Sequence, residues 1–431
     1  MRILIVGGGG REHALAWWCR RGRGDVEIIV APGNAGTSEI AENVAVDATD
    51  AVAIARLAVE RQVDLVVIGP DAAAAAGVAD ACISNGIAVF GPTAVAARIE
   101  SSKTFAKRLM DDAGIATARW MAGGGADLPR MRGFVEELRG RCVVKADGLA
   151  LGKGVTMCSS TDEAAGALAE CFETGRFGDA GRVVVIEERL TGDELSVFGI
   201  SDGTRVRVLP PARDHKRAGD GDTGPNTGGM GAVSPAPGVG DDVVDNVAAS
   251  VLQPCVDALR ERGTPFVGCL YAGLMLTADG IRVLEFNARF GDPEAQVVLP
   301  LAEESGLELL HAAATGGIAP GRVRAAGAWA AGIVAAASGY PGSPRTGDAI
   351  SGLRDVDSDV LVFHAGTRRD GDGTLRTSGG RVLCVVATAP TLDAARVTAY
   401  ENLDRVHFDG MQFRHDIGGA PIATTSHARS S

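Results

Sequence analysis

The sequence predicts an α/β protein. Its expected parts are an N-terminal doubly wound parallel sheet, a larger glycine-loop region and a small C-terminal α+β unit. Three observations carry this reading. Short apolar runs alternate with helical spacings through residues 3–93, and each run ends in a turn. A strand, a glycine-rich loop carrying a lysine and a second strand follow at 142–155. Near the C-terminal end, short apolar runs precede a single helix.

Taken in order, residues 3–6 form a buried strand, Gly7-Gly8-Gly9-Gly10 a tight turn, and 11–20 a helix with Leu15 and Trp18 on one face. Residues 27–30 give a second strand ending at Ala31-Pro32-Gly33-Asn34-Ala35-Gly36. A helix over 51–62 leads to strand 63–68 and the turn Gly69-Pro70-Asp71. Another helix precedes strand 88–90, and residues 1–102 complete the first unit. Ligands of such sheets bind outside the C-terminal ends of the strands. The second unit spans 103–320. It holds strands at 142–145 and 183–187, strands through 195–209, a polar loop at 213–232 and a long helix over 241–262. Gly316-Gly317-Ile318-Ala319-Pro320-Gly321 reads as a linker. Strands at 328–336, 360–364 and 381–387 and a helix at 391–404 form the third unit, 325–418, and 419–431 reads as a flexible tail.

At 431 residues, of which 46% are hydrophobic, the chain can build several cores. A net charge of −12 argues against non-specific binding to nucleic acid or anionic membranes. Aromatics at 4% leave little for base-stacking platforms. Eight cysteines are scattered without a Cys-x-x-Cys pair, as expected of buried thiols in a reducing compartment. The N-terminal apolar run is too short for a signal-peptide core, and no segment reaches the length of a membrane span. A soluble cytoplasmic protein, monomeric or weakly oligomeric, is expected.

The most informative stretch is Glu285-Phe286-Asn287-Ala288-Arg289-Phe290-Gly291-Asp292-Pro293-Glu294. Alternate side chains of a strand share a face, so Glu285, Asn287 and Arg289 should enter one cavity. A carboxylate and an amide oxygen suit a hard cation such as Mg²⁺ or Mn²⁺ that fills its shell with phosphate and water. The guanidinium beside them can neutralise a transferring phosphoryl group. Lys145-Ala146-Asp147-Gly148-Leu149-Ala150-Leu151-Gly152-Lys153-Gly154 lacks the Gly-Lys-Ser/Thr ending of a P-loop. It reads as a flap over triphosphate, with Lys145 and Lys153 as point charges. After strand 183–187, backbone groups can meet an adenine and Glu194 a ribose. Asp214-His215-Lys216-Arg217 and the glycine-dense 220–231 stretch form an anion pocket, in which His215 is either a general base or a structural hydrogen-bonder. Gly7–Gly10 favours a phosphate at a helix N-terminus but lacks the spacing and acidic ribose ligand of a nicotinamide site.

These segments, in this order and over nearly the whole chain, resemble the phosphoribosylamine–glycine ligase family of ATP-grasp enzymes. The resemblance implies a two-lobed ATP-grasp domain whose mobile lid lobe spans about 120–192. It implies ATP contacts at Lys103, Lys145, Gly152, Lys153 and Gly154, with Glu187, Glu188 and Leu190 near adenine and Glu194 on the ribose. It implies metal ligation by Glu285 and Asn287, and catalytic roles for Arg289, Lys216 and Asp214. Substrate would meet Gly8, Gly9, Gly10 and Asn34 on one side. On the other it would meet His215, Arg217, Asn226, Thr227, Gly228, Gly229, Met230 and Gly231. Glycine, 5-phosphoribosylamine and ATP are the implied substrates, and glycyl phosphate the implied intermediate. The chain departs from the family at Asp71, where Glu is usual, in the alanine run 72–76, at Ser101 and at Ala212-Arg213. Other ATP-grasp acceptors, or a nucleotide sensor without turnover, are the competing readings.

Overall fold

The protein is described from a computed structural model covering residues 1–22, 24–148 and 154–420. Five parallel strands form the N-terminal sheet, in the order Glu42–Asn43, Glu27–Pro32, Arg2–Gly7, Leu65–Ile68, Ala88–Phe90. Strand alternation divides its apolar residues between two cores. Leu4, Val6 and Val66 face helices Ala51–Glu60, Val78–Ser84 and Lys103–Asp112. Ile3, Ile5 and Val67 face helices Gly10–Arg20, Glu294–Leu301 and Gly306–Ala314. Leu15 and Trp18 both enter this second core, and a Cβ on Gly306 would stand 2.4 Å from the Trp18 ring.

The central sheet runs Gly280–Asn287, Val267–Thr277, Asp193–Asp202, Val206–Val208, Gly321–Arg322. A separate four-stranded antiparallel sheet, Trp120–Gly123, Val184–Glu188, Cys142–Ala146, Val155–Cys158, has its own core against helices Leu128–Glu137 and Thr161–Phe172. These are the two lobes of an ATP-grasp fold. The third unit pairs Arg213–Asp214, Gly231–Ser234, Trp329–Ala336, Arg381–Ala389 and Leu361–His364 in one sheet under helix Leu392–Leu403. The polar loop of the second region therefore crosses into the C-terminal sheet at both ends.

Three expectations are corrected. The helix at 241–262 is interrupted, with Asp241–Val247, a π turn at Ala248–Leu252 and Gln253–Glu261. Pro254 has no N–H for the preceding turn and crowds its carbonyl, which accounts for the widened turn. The stretch 316–321 is no loose linker, because Gly321–Arg322 pairs in parallel with Val206–Val208. The start of the expected tail is held, because the Gly419 N–H meets the Asp416 carbonyl at 3.2 Å and Arg396 takes the Ala420 carbonyl as well as that of Ile417 at 2.7 Å. Residues 421–431 of the expected tail lie outside the described residues. No helix among the described residues is long and apolar enough to cross a membrane.

Candidate active site

Strand Gly280–Asn287 pairs with Val267–Thr277, so that Glu285 lies opposite Gly273 and Asn287 opposite Tyr271. Glu285 and Asn287 share a face, as their spacing requires. Arg289 lies just past the strand end, where its Nη2 is 3.0 Å from Asn287 Oδ1 and 3.0 Å from Glu100 Oε1. The other Glu100 oxygen accepts the Ala288 N–H at 2.8 Å. Glu100 carries no sequence signal beyond being one acid in a four-residue helix, Arg98–Ser101, and was missed. Burial pushes the Glu285 carboxyl up, but Lys216, Lys145, Lys103 and Arg289 outweigh it and hold it below the usual value. Among the described residues no group of three or more His, Cys, Asp or Glu is arranged to hold a metal. The fit is instead a carboxylate kept charged beside one amide oxygen, a donor pair that suits a cation whose remaining ligands are phosphate and water.

The cations come from three elements. Lys145, in strand Cys142–Ala146, is 2.7 Å from Glu187 Oε1 and 3.2 Å from the Leu284 carbonyl. Lys103 opens helix Lys103–Asp112, and its Nζ lies 3.4 Å from the Gly148 carbonyl at the root of the glycine loop. Asp147 ties that root to the helix. It accepts the Ser102 hydroxyl at 3.1 Å and the Thr104 N–H at 2.6 Å. Gly154 accepts the Ala146 N–H at 2.8 Å, whereas Gly152 and Lys153 lie outside the described residues. Glu187 is a buried counter-ion of Lys145 and Lys107. Glu188 is likewise occupied, accepting the Arg119 N–H at 2.8 Å. Leu190 is half-buried just past the strand. Glu194 pairs with Lys216 at 2.8 Å.

The polar loop brings Asp214 and Lys216 to the same place. Burial pushes the Asp214 carboxyl up to about 7, with Lys216 opposing and Glu294 and Glu194 adding. His215 makes a structural hydrogen bond. Its Nε2 accepts the Gly418 N–H at 3.0 Å, and burial followed by Arg414 lowers it to about 4. Arg217 pairs with Asn226 across a short hairpin and donates to the Gly224 carbonyl at 2.6 Å. Thr227 Oγ1 donates to the Lys216 carbonyl at 2.9 Å and accepts the Gly229 N–H at 2.9 Å. Gly228 is held by Tyr340 and Arg381. Met230 is 2% exposed and packs in the core of the third unit. Gly231, with φ of +156°, opens the strand beyond it. The loop is strapped from behind by Arg414, which forms paired bonds of 2.7 Å to Asp416, another of 2.7 Å to Asp222, and one of 3.2 Å to the Arg217 carbonyl.

At the N-terminal glycine turn, the Gly9 N–H is already taken by Glu12 at 2.6 Å, and Glu12 pairs with Arg11 at 2.6 Å. Asn34 is also fully engaged. Its amide donates to the carbonyls of Gly8 and His364, and its oxygen accepts the N–H groups of Gly36 and Thr37. Its side chain is thus a joint between the first and third units. Beside the turn is a cavity of about 550 Å³, lined by Gly8, Gly9, Asp47, Pro70 and Asp292 among others. Arg381 pairs with Asp292 at 3.2 Å and donates to the Gly228 carbonyl at 2.6 Å, joining cavity and loop. Of the departures, Asp71 accepts the Ala72 N–H, and its charge helps raise Arg289. Arg213 donates to the carbonyls of Glu194 and Pro237.

Residues 1–100 match the N domain of phosphoribosylglycinamide synthetase, 101–295 its ATP-grasp (A) domain and 330–420 its C domain. The chain belongs to this family. Among its relatives, a phosphoribosylamine–glycine ligase of Streptomyces coelicolor is 48% identical, over 97% of this chain and 98% of that protein. One from Mesorhizobium japonicum is 44% identical, over 98% and 99%. The crystal structure of a family member from Thermotoga maritima superposes with a TM-score of 0.85 at 34% identity, covering 97% of this chain and all of that one. The biotin carboxylase domain of a Hydrogenobacter thermophilus 2-oxoglutarate carboxylase shares the fold, with a TM-score of 0.73 at 16% identity. Family membership makes the protein a ligase of purine biosynthesis with an ATP-grasp core.

Proposed function

We propose that the protein joins glycine to 5-phosphoribosylamine with ATP, giving glycinamide ribonucleotide, ADP and phosphate. The observation that carries this is the convergence of Lys103, Lys145, Lys216 and Arg289 on the Glu285–Asn287 strand end. A carboxylate oxygen of glycine attacks the γ-phosphorus, the bond to the bridging oxygen breaks, and ADP leaves. The amine of phosphoribosylamine then attacks the carbonyl carbon of glycyl phosphate. The bond to phosphate breaks and the nitrogen gives up a proton. Such chemistry depends on positioning and charge rather than on a protein nucleophile.

Lys103 and Lys145 meet the triphosphate, and Arg289 steadies the acyl phosphate. Asp214, at about 7, is ionised in good part at neutral pH and is suited to take the amine proton. Glu285 and Asn287 would hold a divalent cation, Mg²⁺ or Mn²⁺, which would neutralise phosphate charge there. The cavity beside Gly8, Gly9 and Gly10 takes the phosphoribosylamine, with Asp47 and Asp292 as acceptors for sugar hydroxyls. All eight cysteines are free and buried, which suits a cytoplasmic enzyme acting on small molecules. A coupled assay of ADP release tests the reading. Release should require both glycine and phosphoribosylamine, and undiminished release with either one omitted refutes it.

A further inference from the structure

Glu187 is flanked by two ammonium groups. Lys145 Nζ is 2.7 Å from one carboxylate oxygen, and Lys107 Nζ is 2.8 Å from the other. The three side chains are 7%, 3% and 3% exposed for Lys145, Lys107 and Glu187. Lys107 also donates to Thr117 Oγ1 at 2.7 Å, and Thr117 Oγ1 donates in turn to the Val283 carbonyl at 2.6 Å. Lys103 and Lys107 stand one turn apart on helix Lys103–Asp112, hence on one face. The outer lysine reaches the root of the glycine loop and the inner one reaches Glu187.

A single lysine would suffice to neutralise Glu187. A buried neutral pair is also less costly than a buried triad with a net charge. Burial lowers Lys107 to about 8 even though Glu187 is beside it. The extra charge is therefore kept at a cost, and Lys107 is too enclosed to meet a ligand itself. We infer that Lys107 is a positioning residue for the nucleotide, neutralising Glu187 so that the charge of Lys145 is left for the triphosphate. This rests on the reading above that Lys145 faces ATP. Without Lys107, Glu187 and Lys145 form a closed neutral pair, and Lys145 is withheld from phosphate.

The test is a double-mutant cycle read by KM for ATP, by kcat, and by calorimetric affinity for a nonhydrolysable ATP analogue with Mg²⁺. Lys107→Met should raise KM for ATP about tenfold with kcat changed much less, as loss of one enclosed charge implies. Adding Glu187→Gln should recover most of that loss, because the acid that captures Lys145 is gone. A merely structural role makes the double variant as poor as the single one, or poorer. Wild-type nucleotide affinity in Lys107→Met, or no recovery in the double variant, overturns the inference. Should methionine prevent folding, Lys107→Gln keeps a hydrogen-bond donor without the charge and is read in the same way. An error in the proposed reaction shows separately, as wild-type ADP release that does not need both substrates. The calorimetric comparison still judges Lys107 in that case.

Discussion

Arg289 is held through one nitrogen, Nη2, which meets the Glu100 carboxylate and the Asn287 amide oxygen, each at 3.0 Å. Its Nη1 donates to the Phe290 carbonyl at 3.2 Å, so the guanidinium spreads donors over several nitrogens, which a single ammonium cannot do. Arg289→Lys is therefore expected to leave nucleotide affinity nearly intact. Its kcat should fall by about 10²–10³, the usual loss of a preorganised donor to developing charge. Steady-state kinetics beside calorimetry separate the two effects, and near-normal turnover would take Arg289 out of the chemistry. Glu12 makes a contrasting case. It is 1% exposed, pairs with Arg11 and caps the Gly9 N–H, so it belongs to the scaffold. Glu12→Ala strands a buried guanidinium and should lower stability by about 3–5 kcal/mol in a urea titration. A loss below about 1 kcal/mol would mean that the bond from Arg11 to the Phe290 carbonyl suffices. Glu285 and Asn287 were legible because strand alternation is local. Glu100 was not, because its partner Arg289 is supplied by a distant part of the chain.

The element that most governs the site is the loop between Arg213–Asp214 and Gly231–Ser234. The sequence marked it as a substrate loop by its glycines and basic residues, and Asp214 and Lys216 do reach the centre. What holds it was not legible. Arg414 sits in a polar segment without periodicity, and its bonds to Asp222 and the Arg217 carbonyl join segments far apart in the chain. His415 donates its N–H to Asp220 at 2.8 Å, and Gly418 donates to His215. Arg414→Lys keeps a charge but cannot form the paired contact with Asp416, so it should not restore the loop. Both Arg414→Met and Arg414→Lys are expected to raise KM for phosphoribosylamine severalfold while KM for ATP moves less. Equal shifts in both constants would mean general loosening rather than loss of the strap. Element boundaries read from local pattern held up well for helix Gly10–Arg20 and helix Leu392–Leu403. They failed at 241–262, where the apolar pattern continues across Pro254 but the backbone cannot.

At the scale of the whole molecule, the units are joined through groups that must stay neutral. His13 on the first unit accepts the His364 N–H of the third at 2.9 Å, and the two rings lie 5.7 Å apart. Burial, and then His364, lowers His13 to about 3. Burial, and then Arg369, lowers His364 to about 4, and His215 in the strapped loop is also lowered to about 4. An unfolded histidine titrates near 6.5, so between that value and about 4 the unfolded chain binds more protons than the folded one. The stability these groups permit is full above pH 6.5 and is lost as pH falls toward 4. Asp214 works in the other direction. Its folded value of about 7 lies above the unfolded value, so its burial favours the fold more as pH falls from 7 to about 4. Each tenfold difference in proton affinity between the folded and unfolded chain is worth about 1.4 kcal/mol. Three histidines lowered this far therefore outweigh one raised carboxyl, and net stability should drop by several kcal/mol between pH 7 and pH 4. Replacing His13 with Asn should flatten part of that acid limb, since an acceptor remains and no proton is taken up. Thermal unfolding across this range checks both claims. A melting temperature that is level from pH 7 to pH 4, or an identical acid limb in His13→Asn, would show that the joint between the units does not depend on neutral imidazoles.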